Sequence, residues 1–173
     1  MRVTTRPTIW LAVSLLAGST LSAMAQTDRD SGQEQWSVYR SPSSGTTVDY
    51  PTGIFAIKEG EPEKGDGQRF RTSDGRAALV VYGLPNEQQD TPQAYLDRRL
   101  LVDKSSLDYS RVTNRFFAIS GFRNDSVFYS RCNFSTRPDA RIHCIYLEYP
   151  VRETKSWDAV VTRISRSLHG PTG

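Results

Sequence analysis

The amino-acid sequence predicts an α+β protein in which an antiparallel β-sheet is flanked by helices. Short apolar segments separated by glycine, proline and an Asp-Gly pair predict a series of strands. Two segments carry apolar residues at helical spacing. The last three predicted strands are joined by connections too short for a parallel crossover, so they must run antiparallel.

A leader precedes the predicted domain. An apolar run over residues 9–21 is followed by Ala23, Met24 and Ala25, which place small side chains at the −3 and −1 positions before Gln26. This pattern indicates a secretory signal peptide over the first 25 residues (1–25), cleaved between Ala25 and Gln26. An uncleaved membrane anchor is the alternative, but the run is shorter than the roughly 20 apolar residues of a spanning helix. We therefore expect a periplasmic or secreted protein with no transmembrane segment after cleavage.

The rest of the chain has the size of one domain. We expect a disordered polar lead-in over 26–35, a single domain over 36–169 and a tail over 170–173. The formal net charge of +3 includes Arg2 and Arg6, which leave with the leader. The remaining basic residues are spread along the chain, so the sequence does not predict a nucleic-acid partner.

The first half of the domain reads as short strands near 36–39, 46–50 and 53–57, followed by an acidic loop over 59–67. A hairpin is expected next, with strands 68–72 and 76–82 on either side of Ser73, Asp74 and Gly75. Its second strand is apolar without alternation, which is typical of a strand covered on both faces.

Two helices are predicted. Thr91 and Pro92 are suited to the N-cap and first position of a helix that places Tyr95, Leu96 and Leu100 on one face. The closing helix is predicted to place Ser165 among its outward-facing residues and to end before Gly170 and Pro171. Its apolar stripe consists of Trp157, Val160, Val161, Ile164 and Leu168.

The three late strands are predicted near 109–119, 126–134 and 141–149. If the last two fold symmetrically about Pro138, Cys132 lies directly opposite Cys144. Opposed positions bring two Cβ atoms to the spacing of a disulfide, and an exported chain meets an oxidising compartment. We therefore predict a structural disulfide. A redox-active pair, which lacks the C-x-x-C spacing, and two free thiols are the alternatives.

In this register both faces of the late sheet carry bulky side chains. Val127 and Tyr129 lie near Leu147 and Tyr149 on one face. Phe128, Cys132 and Phe134 lie near Glu148, Cys144 and Ile142 on the other. The pattern therefore predicts a sheet that is covered on each side.

Several local patterns stand out along the domain: Tyr39, Gly45, Val48-Asp49-Tyr50-Pro51, Ile54-Phe55, Asp66-Gly67, Phe70, Ser73-Asp74-Gly75-Arg76-Ala77 and the closing helix. These patterns and the element order resemble the PsbP-like superfamily, in particular its small exported bacterial members, the DcrB-like proteins. The resemblance implies a curved antiparallel sheet with helices on both sides. It also implies a non-enzymatic protein that binds other proteins or stabilises assemblies, and it supplies no catalytic residues.

No residue pattern identifies a catalytic, cofactor-binding or metal-binding site. Glu59, Glu61, Glu63 and Asp66 could hold a hard cation, but their spacing matches no known calcium loop and Lys64 lies among them, which favours a solvated loop. His143 precedes Cys144, yet adjacent strand residues point to opposite faces, which favours a structural histidine over a catalytic dyad.

The leading hypothesis is an exported, soluble, non-catalytic binding or assembly-stabilising module that acts on an envelope protein. A small envelope hydrolase, whose site is assembled from residues distant in sequence, is the first alternative. A cation-responsive stabiliser that uses the acidic loop is the second.

Overall fold

The structure is a computed structural model that describes residues 34–99, 106–136 and 140–171. The predicted leader, its cleavage site between Ala25 and Gln26 and most of the predicted lead-in lie outside the described residues. Leu100, Pro138 and the last two residues also lie outside them.

The described part of the chain forms a seven-stranded sheet, with strand order β3-β4-β5-β9-β8-β7-β6, and a separate two-stranded sheet of β1 and β2. Every neighbouring pair of strands is antiparallel. The strands are β1 (Trp36–Arg40), β2 (Thr47–Pro51), β3 (Ile57–Gly60), β4 (Asp66–Arg71), β5 (Ala78–Pro85), β6 (Leu107–Val112), β7 (Phe116–Arg123), β8 (Ser126–Phe134) and β9 (Arg141–Pro150).

One helix packs on each face of the large sheet. Helix α1 (Pro92–Arg99) contacts β7 and β8, whereas α2 (Thr154–Ser167) follows a short 3₁₀ turn and contacts β2, β8 and β9. We call the two sides the α1 face and the α2 face. Each has its own hydrophobic core, which contains Ile142 and Cys144 on the α1 face and Ile145 and Leu147 on the α2 face. The predicted α+β class, with an antiparallel sheet covered on both sides, is confirmed.

The predicted register of the last hairpin is also confirmed. Val127 pairs with Tyr149 and Cys132 pairs with Cys144, as symmetry about position 138 requires. The two cysteines form a buried disulfide on the α1 face. The His143 side chain points to the α2 face, away from the sulfur of the adjacent Cys144, as the alternation of side chains along a strand predicts.

Two further local predictions hold. The hairpin around Asp74 and Gly75 is present, with Arg71 paired to Ala78. Helix α1 begins at Pro92, and the Thr91 hydroxyl oxygen accepts a hydrogen bond from the backbone N–H of Ala94 at 3.2 Å. Both features are set by local chemistry that the sequence displays directly.

The strand predicted over 109–119 is wrong because this segment forms two strands. Strands β6 and β7 pair with each other across a tight turn. The Thr113 hydroxyl oxygen closes the turn by accepting hydrogen bonds from the backbone N–H groups of Arg115 and Phe116 at 3.2 and 3.1 Å. A threonine side chain thus replaces the glycine or proline by which the prediction located turns.

The strand predicted over 53–57 is also displaced. Phe55 donates its backbone N–H to the Pro51 carbonyl at 2.9 Å, which makes a turn, and β3 begins only at Ile57. All four residues of β3 are exposed, because β3 is an edge strand that no helix covers. A strand without a buried face shows no apolar alternation, so the sequence pattern places part of β3 in the acidic loop.

Among the residues that the structure describes, no helix is long and apolar enough to cross a membrane.

We expect reduction of the Cys132–Cys144 disulfide to lower the free energy of unfolding by about 3 kcal/mol, because a short cross-link restricts the unfolded chain. Urea unfolding with and without reductant measures the difference. The Cys132→Ser/Cys144→Ser double variant is the control, and reductant should not change its midpoint. An unchanged unfolding curve of the reduced wild-type protein would contradict a structural role.

Candidate functional site

Residues from five neighbouring strands lie in one row at an end of the α2 face. Asp66 pairs with Gly83, and Gly83 pairs with His143. On the other side of β9, His143 pairs with Asn133, which pairs with Phe116. Cross-strand partners point to the same face of a sheet. The row therefore assembles residues that are distant in sequence.

The loop between β1 and β2 covers part of this row with hydroxyl groups. Ser41, Ser44 and Thr46 are each almost fully buried. The Ser41 hydroxyl lies 2.6 Å from that of Ser44, which lies 2.9 Å from that of Thr46. Buried hydroxyls require hydrogen-bond partners, and each of these three finds one in another loop hydroxyl.

The hydroxyls join a carboxylate to an imidazole. At one end, Asp66 accepts hydrogen bonds from the Ser41 hydroxyl and, at 2.9 Å, from the Ser44 backbone N–H. At the other end, the Thr46 hydroxyl lies 2.8 Å from Nδ1 of His143, which is 3% exposed. We call these five residues the buried polar chain. It fixes the orientation of the His143 ring from the side of the loop.

The buried polar chain perturbs the carboxylate at its end. The hydrogen bond from Ser41 holds the pKa of Asp66 below its ordinary value, and the hydrogen bonds from Ser44 act in the same direction. Partial burial opposes this shift and is outweighed. A carboxylate that accepts several hydrogen bonds is stabilised in its charged form.

Two glycines provide the space that this arrangement needs. A Cβ atom at position 83 would lie 2.3 Å from the Thr46 hydroxyl oxygen and 2.4 Å from Ser44. At position 170 it would lie 2.3 Å from Nε2 of His143. Only a residue without a side chain fits at either position.

The C-terminal segment, residues 168–171, lies against the same end of the sheet. His169 exchanges two backbone hydrogen bonds with Thr47 at the start of β2, of 2.8 and 3.0 Å. The side-chain amide of Asn133 donates to the Leu168 carbonyl at 2.7 Å. The segment is thereby fastened on two sides and holds Gly170 against the His143 ring.

An open cleft of about 320 Å³ lies beside the C-terminal segment, and we call it the tail cleft. Four parts of the chain form it: the β6–β7 turn, the end of β8 with the residues after it, β9 and the C-terminal segment. It is lined by Arg115, Asn133, Phe134, Ser135, Thr136, His143, His169, Gly170 and Pro171. Both histidines of the sequence therefore reach one cleft, which their spacing of 26 residues does not suggest.

A second hydrogen-bonded group links α2 to β8. The Tyr129 hydroxyl lies 2.6 Å from that of Ser165, and Arg131 donates to Ser165 at 3.3 Å and to Asn133 at 2.9 Å. Burial raises the pKa of the Tyr129 phenol above its ordinary value. Ser165 is buried, so its predicted outward position is wrong. Its hydroxyl turns inward because two polar groups of β8 meet it there.

The outer part of the α2 face is not covered by α2. Tyr109 and Phe122 are 44% and 50% exposed. Phe122 points to the α2 face because it pairs with Val127, a residue of the α2-face core. Tyr109 points to the same face because it pairs with Ser120, which lies two residues from Phe122 on β7. Arg111 lies on the same side, and its guanidinium is 5.6 Å from the centre of the Phe116 ring. We call Tyr109, Arg111, Phe116 and Phe122 the aromatic–arginine face.

A second cleft of about 320 Å³ contains a well-paired ionic group. It lies at the turn after β4, where Arg76 forms ion pairs with Asp74 at 2.6 Å and with Glu153. Trp157 donates its indole N–H to Glu153 at 3.3 Å. The arginine of this cleft is therefore already neutralised by carboxylates of the protein.

The acidic loop does not assemble a cluster of carboxylates. Glu59 pairs with Arg71 at 2.8 Å, and Asp66 belongs to the buried polar chain. Glu61 and Glu63 are exposed. Within the described ranges, no group of three or more His, Cys, Asp or Glu residues is placed to hold a metal ion.

Comparison with known proteins supports the fold. No protein-family model matches the sequence, and no curated protein matches it. The structure is similar to the solution structure of the cyanobacterial PsbP protein CyanoP from Synechocystis sp. PCC 6803, with a TM-score of 0.56 and 14% sequence identity. The match covers 82% of this chain and 96% of that one. The PsbP-like fold expected from the sequence resemblance is confirmed.

We expect Gly83→Ala to lower the free energy of unfolding by about 1–3 kcal/mol, because the new methyl group would overlap the Thr46 and Ser44 side chains. Gly53→Ala is the matched control, since its added Cβ atom meets its nearest neighbour only at 3.4 Å. Urea unfolding of both variants measures the effect. Equal stabilities would show that the loop does not pack on the sheet as described.

The lowered pKa of Asp66 predicts a pH-dependent contribution to stability. Its hydrogen bonds stabilise the folded state above the unfolded-state value of about 4, and the contribution is lost as pH falls through the lowered folded-state pKa. Asp66→Asn should therefore destabilise the protein at pH 7, and the difference from wild type should shrink toward pH 3. Unfolding curves at several pH values measure it, with Glu63→Gln as an exposed control. A difference that stays constant with pH would disprove this assignment.

Proposed function

We propose that this protein is an exported, non-catalytic binding or assembly-stabilising module that docks on an envelope protein through the aromatic–arginine face. The supporting observation is the exposure of two large aromatic side chains, Tyr109 and Phe122, on a sheet face that the helix of that side leaves open. Aromatic residues and arginine are enriched in protein–protein interfaces, and exposed apolar groups gain free energy when a partner covers them.

The chemistry of this face favours a partner that presents carboxylates around an apolar centre. Phe116 lies between two guanidinium groups, at 5.6 Å from Arg111 and 4.5 Å from Arg131. The planar guanidinium of Arg111 is exposed and suited to bidentate contact with a carboxylate. Phe122 and Tyr109 supply the apolar area beside it. Arginine and aromatic side chains of this kind dominate measured interface energies.

The proposed location outside the cytoplasm, periplasmic or secreted, rests on the leader and the cysteine pair. The sequence pattern before Gln26 is that of a cleaved secretory peptide. The Cys132–Cys144 disulfide fits an oxidising compartment. Binding of other proteins is also what the PsbP-like resemblance implies.

The non-catalytic part of the proposal is supported by the burial of the buried polar chain. The hydroxyl that contacts His143 belongs to Thr46, whose exposed fraction is 0%. A nucleophile needs access to its substrate, so this pair is better suited to holding the loop than to hydrolysis. The separated carboxylates of the acidic loop likewise give no specific support to the cation-responsive alternative.

A crosslinked pull-down from the native envelope, read by quantitative mass spectrometry, tests the proposal. We expect one saturable partner whose recovery falls at least about tenfold with Phe122→Ser combined with Arg111→Gln, as for loss of an interface anchor. Val38→Ser is the matched control, because Val38 is exposed on β1, outside the aromatic–arginine face, and its loss should leave recovery unchanged.

Two outcomes would contradict the proposal. One is the absence of any saturable partner. The other is a partner whose recovery is the same for the double variant and the wild-type protein, since docking would then use another surface.

A further inference from the structure

Among the residues that the structure describes, the lining of the tail cleft combines a cationic side chain with hydrogen-bonding residues, and none of them carries a carboxylate. Its described lining includes Arg115, His169 and the edge of the buried His143. Asn133, Ser135 and Thr136 add an amide and two hydroxyls. A concave site with a few convergent polar groups is the usual form of a small-molecule site, and the charge of this lining favours an anion.

Arg115 is the cation that distinguishes this cleft. Its guanidinium makes no ion pair or hydrogen bond with another residue of the described ranges, whereas Arg76 in the second cleft is paired with Asp74 and Glu153. An arginine without a carboxylate partner at the edge of a cleft retains its capacity for bidentate contact with an oxyanion.

The backbone around Arg115 is held in place. Its N–H donates to the Thr113 hydroxyl oxygen at 3.2 Å, and its carbonyl accepts the Phe134 N–H at 2.8 Å. These bonds tie the β6–β7 turn to the end of β8, so that ligand binding need not order the loop first. Preorganisation of this kind lowers the entropic cost of binding.

His169, a second lining residue, is also held in a fixed orientation. Its backbone is fastened to Thr47, and its ring Nδ1–H donates to the Gly170 carbonyl at 2.7 Å. A ligand in the cleft would therefore meet Nε2. Asn133, another lining residue, is fixed by its hydrogen bonds to Arg131 and Leu168.

We propose that the tail cleft binds a small organic molecule through a carboxylate or phosphate group, with Arg115 and His169 as the residues that hold the oxyanion. The remainder of the ligand would lie in the cleft beside Phe134 and Pro171. This site is separate from the aromatic–arginine face, and its occupation does not require a protein partner.

The test is a titration of the ¹⁵N-labelled protein with inorganic phosphate and with succinate, followed by NMR. We expect saturable shifts of the Arg115 side-chain and His169 ring signals, with a Kd near or below about 1 mM for at least one of the two anions. The preferred anion identifies the oxyanion class, because phosphate is tetrahedral and a carboxylate is planar.

Arg115→Gln should raise the Kd about tenfold or more, the size of effect expected for loss of a charge-assisted pair of hydrogen bonds. His169→Gln should weaken binding as well. Arg152→Gln is the matched control, since it removes an equal charge from an exposed residue outside the cleft lining and should leave the Kd unchanged.

The amide spectra of the same samples report whether each variant is folded. Shifts that rise linearly without saturation for both anions would overturn the proposal, because they indicate adventitious charge screening. A Kd that is equal for Arg115→Gln and the wild-type protein would also overturn it.

Discussion

The register of β9 is the constraint on which the rest of the structure depends. This strand is hydrogen-bonded on both sides, to β5 and β8, and its alternate residues enter different cores. Ile142 and Cys144 belong to the core under α1, whereas Ile145 and Leu147 belong to the core under α2. A slip of one residue would exchange the two sets, separate the cysteines and turn His143 away from its row. The disulfide, the two cores and the polar row therefore all depend on the register of β9 with its neighbouring strands.

Much of this pairing could be predicted from the sequence, because the information is local. The turn-like amino-acid sequence between the cysteines and the spacing of the cysteines predict the β8–β9 register, and Thr91 with Pro92 marks the start of α1. Strand β3 and the turn that separates β6 from β7 lack local signals of this kind, and the sequence does not predict them. A hydroxyl of Thr113 closes the β6–β7 turn in place of glycine, and β3 is exposed along its whole length. The first is a local signal of a less common kind, whereas β3 takes its structure from pairing with β4.

The candidate sites could not be located from the sequence for a different reason. Arg115 and His169 line the same cleft only because the pairing of several strands brings the β6–β7 turn and the C-terminal segment to one end of the sheet. Ser41 and Thr46 look like ordinary loop residues until Asp66 and His143 supply their partners. Hydrogen bonds between residues so far apart leave no fixed spacing in the chain. Their detection requires the complete strand order.

The bridge between Thr47 and His169 has a consequence for the order of folding. It joins the second strand of the domain to the segment beyond its last helix, across 122 positions of the chain. Helix α2 packs on the same strand. The β4–β5 hairpin can form early, but β2 keeps exposed apolar surface until α2 and the segment beyond it have docked. Long-range closure of this kind slows folding and prolongs the time in which a chaperone can bind.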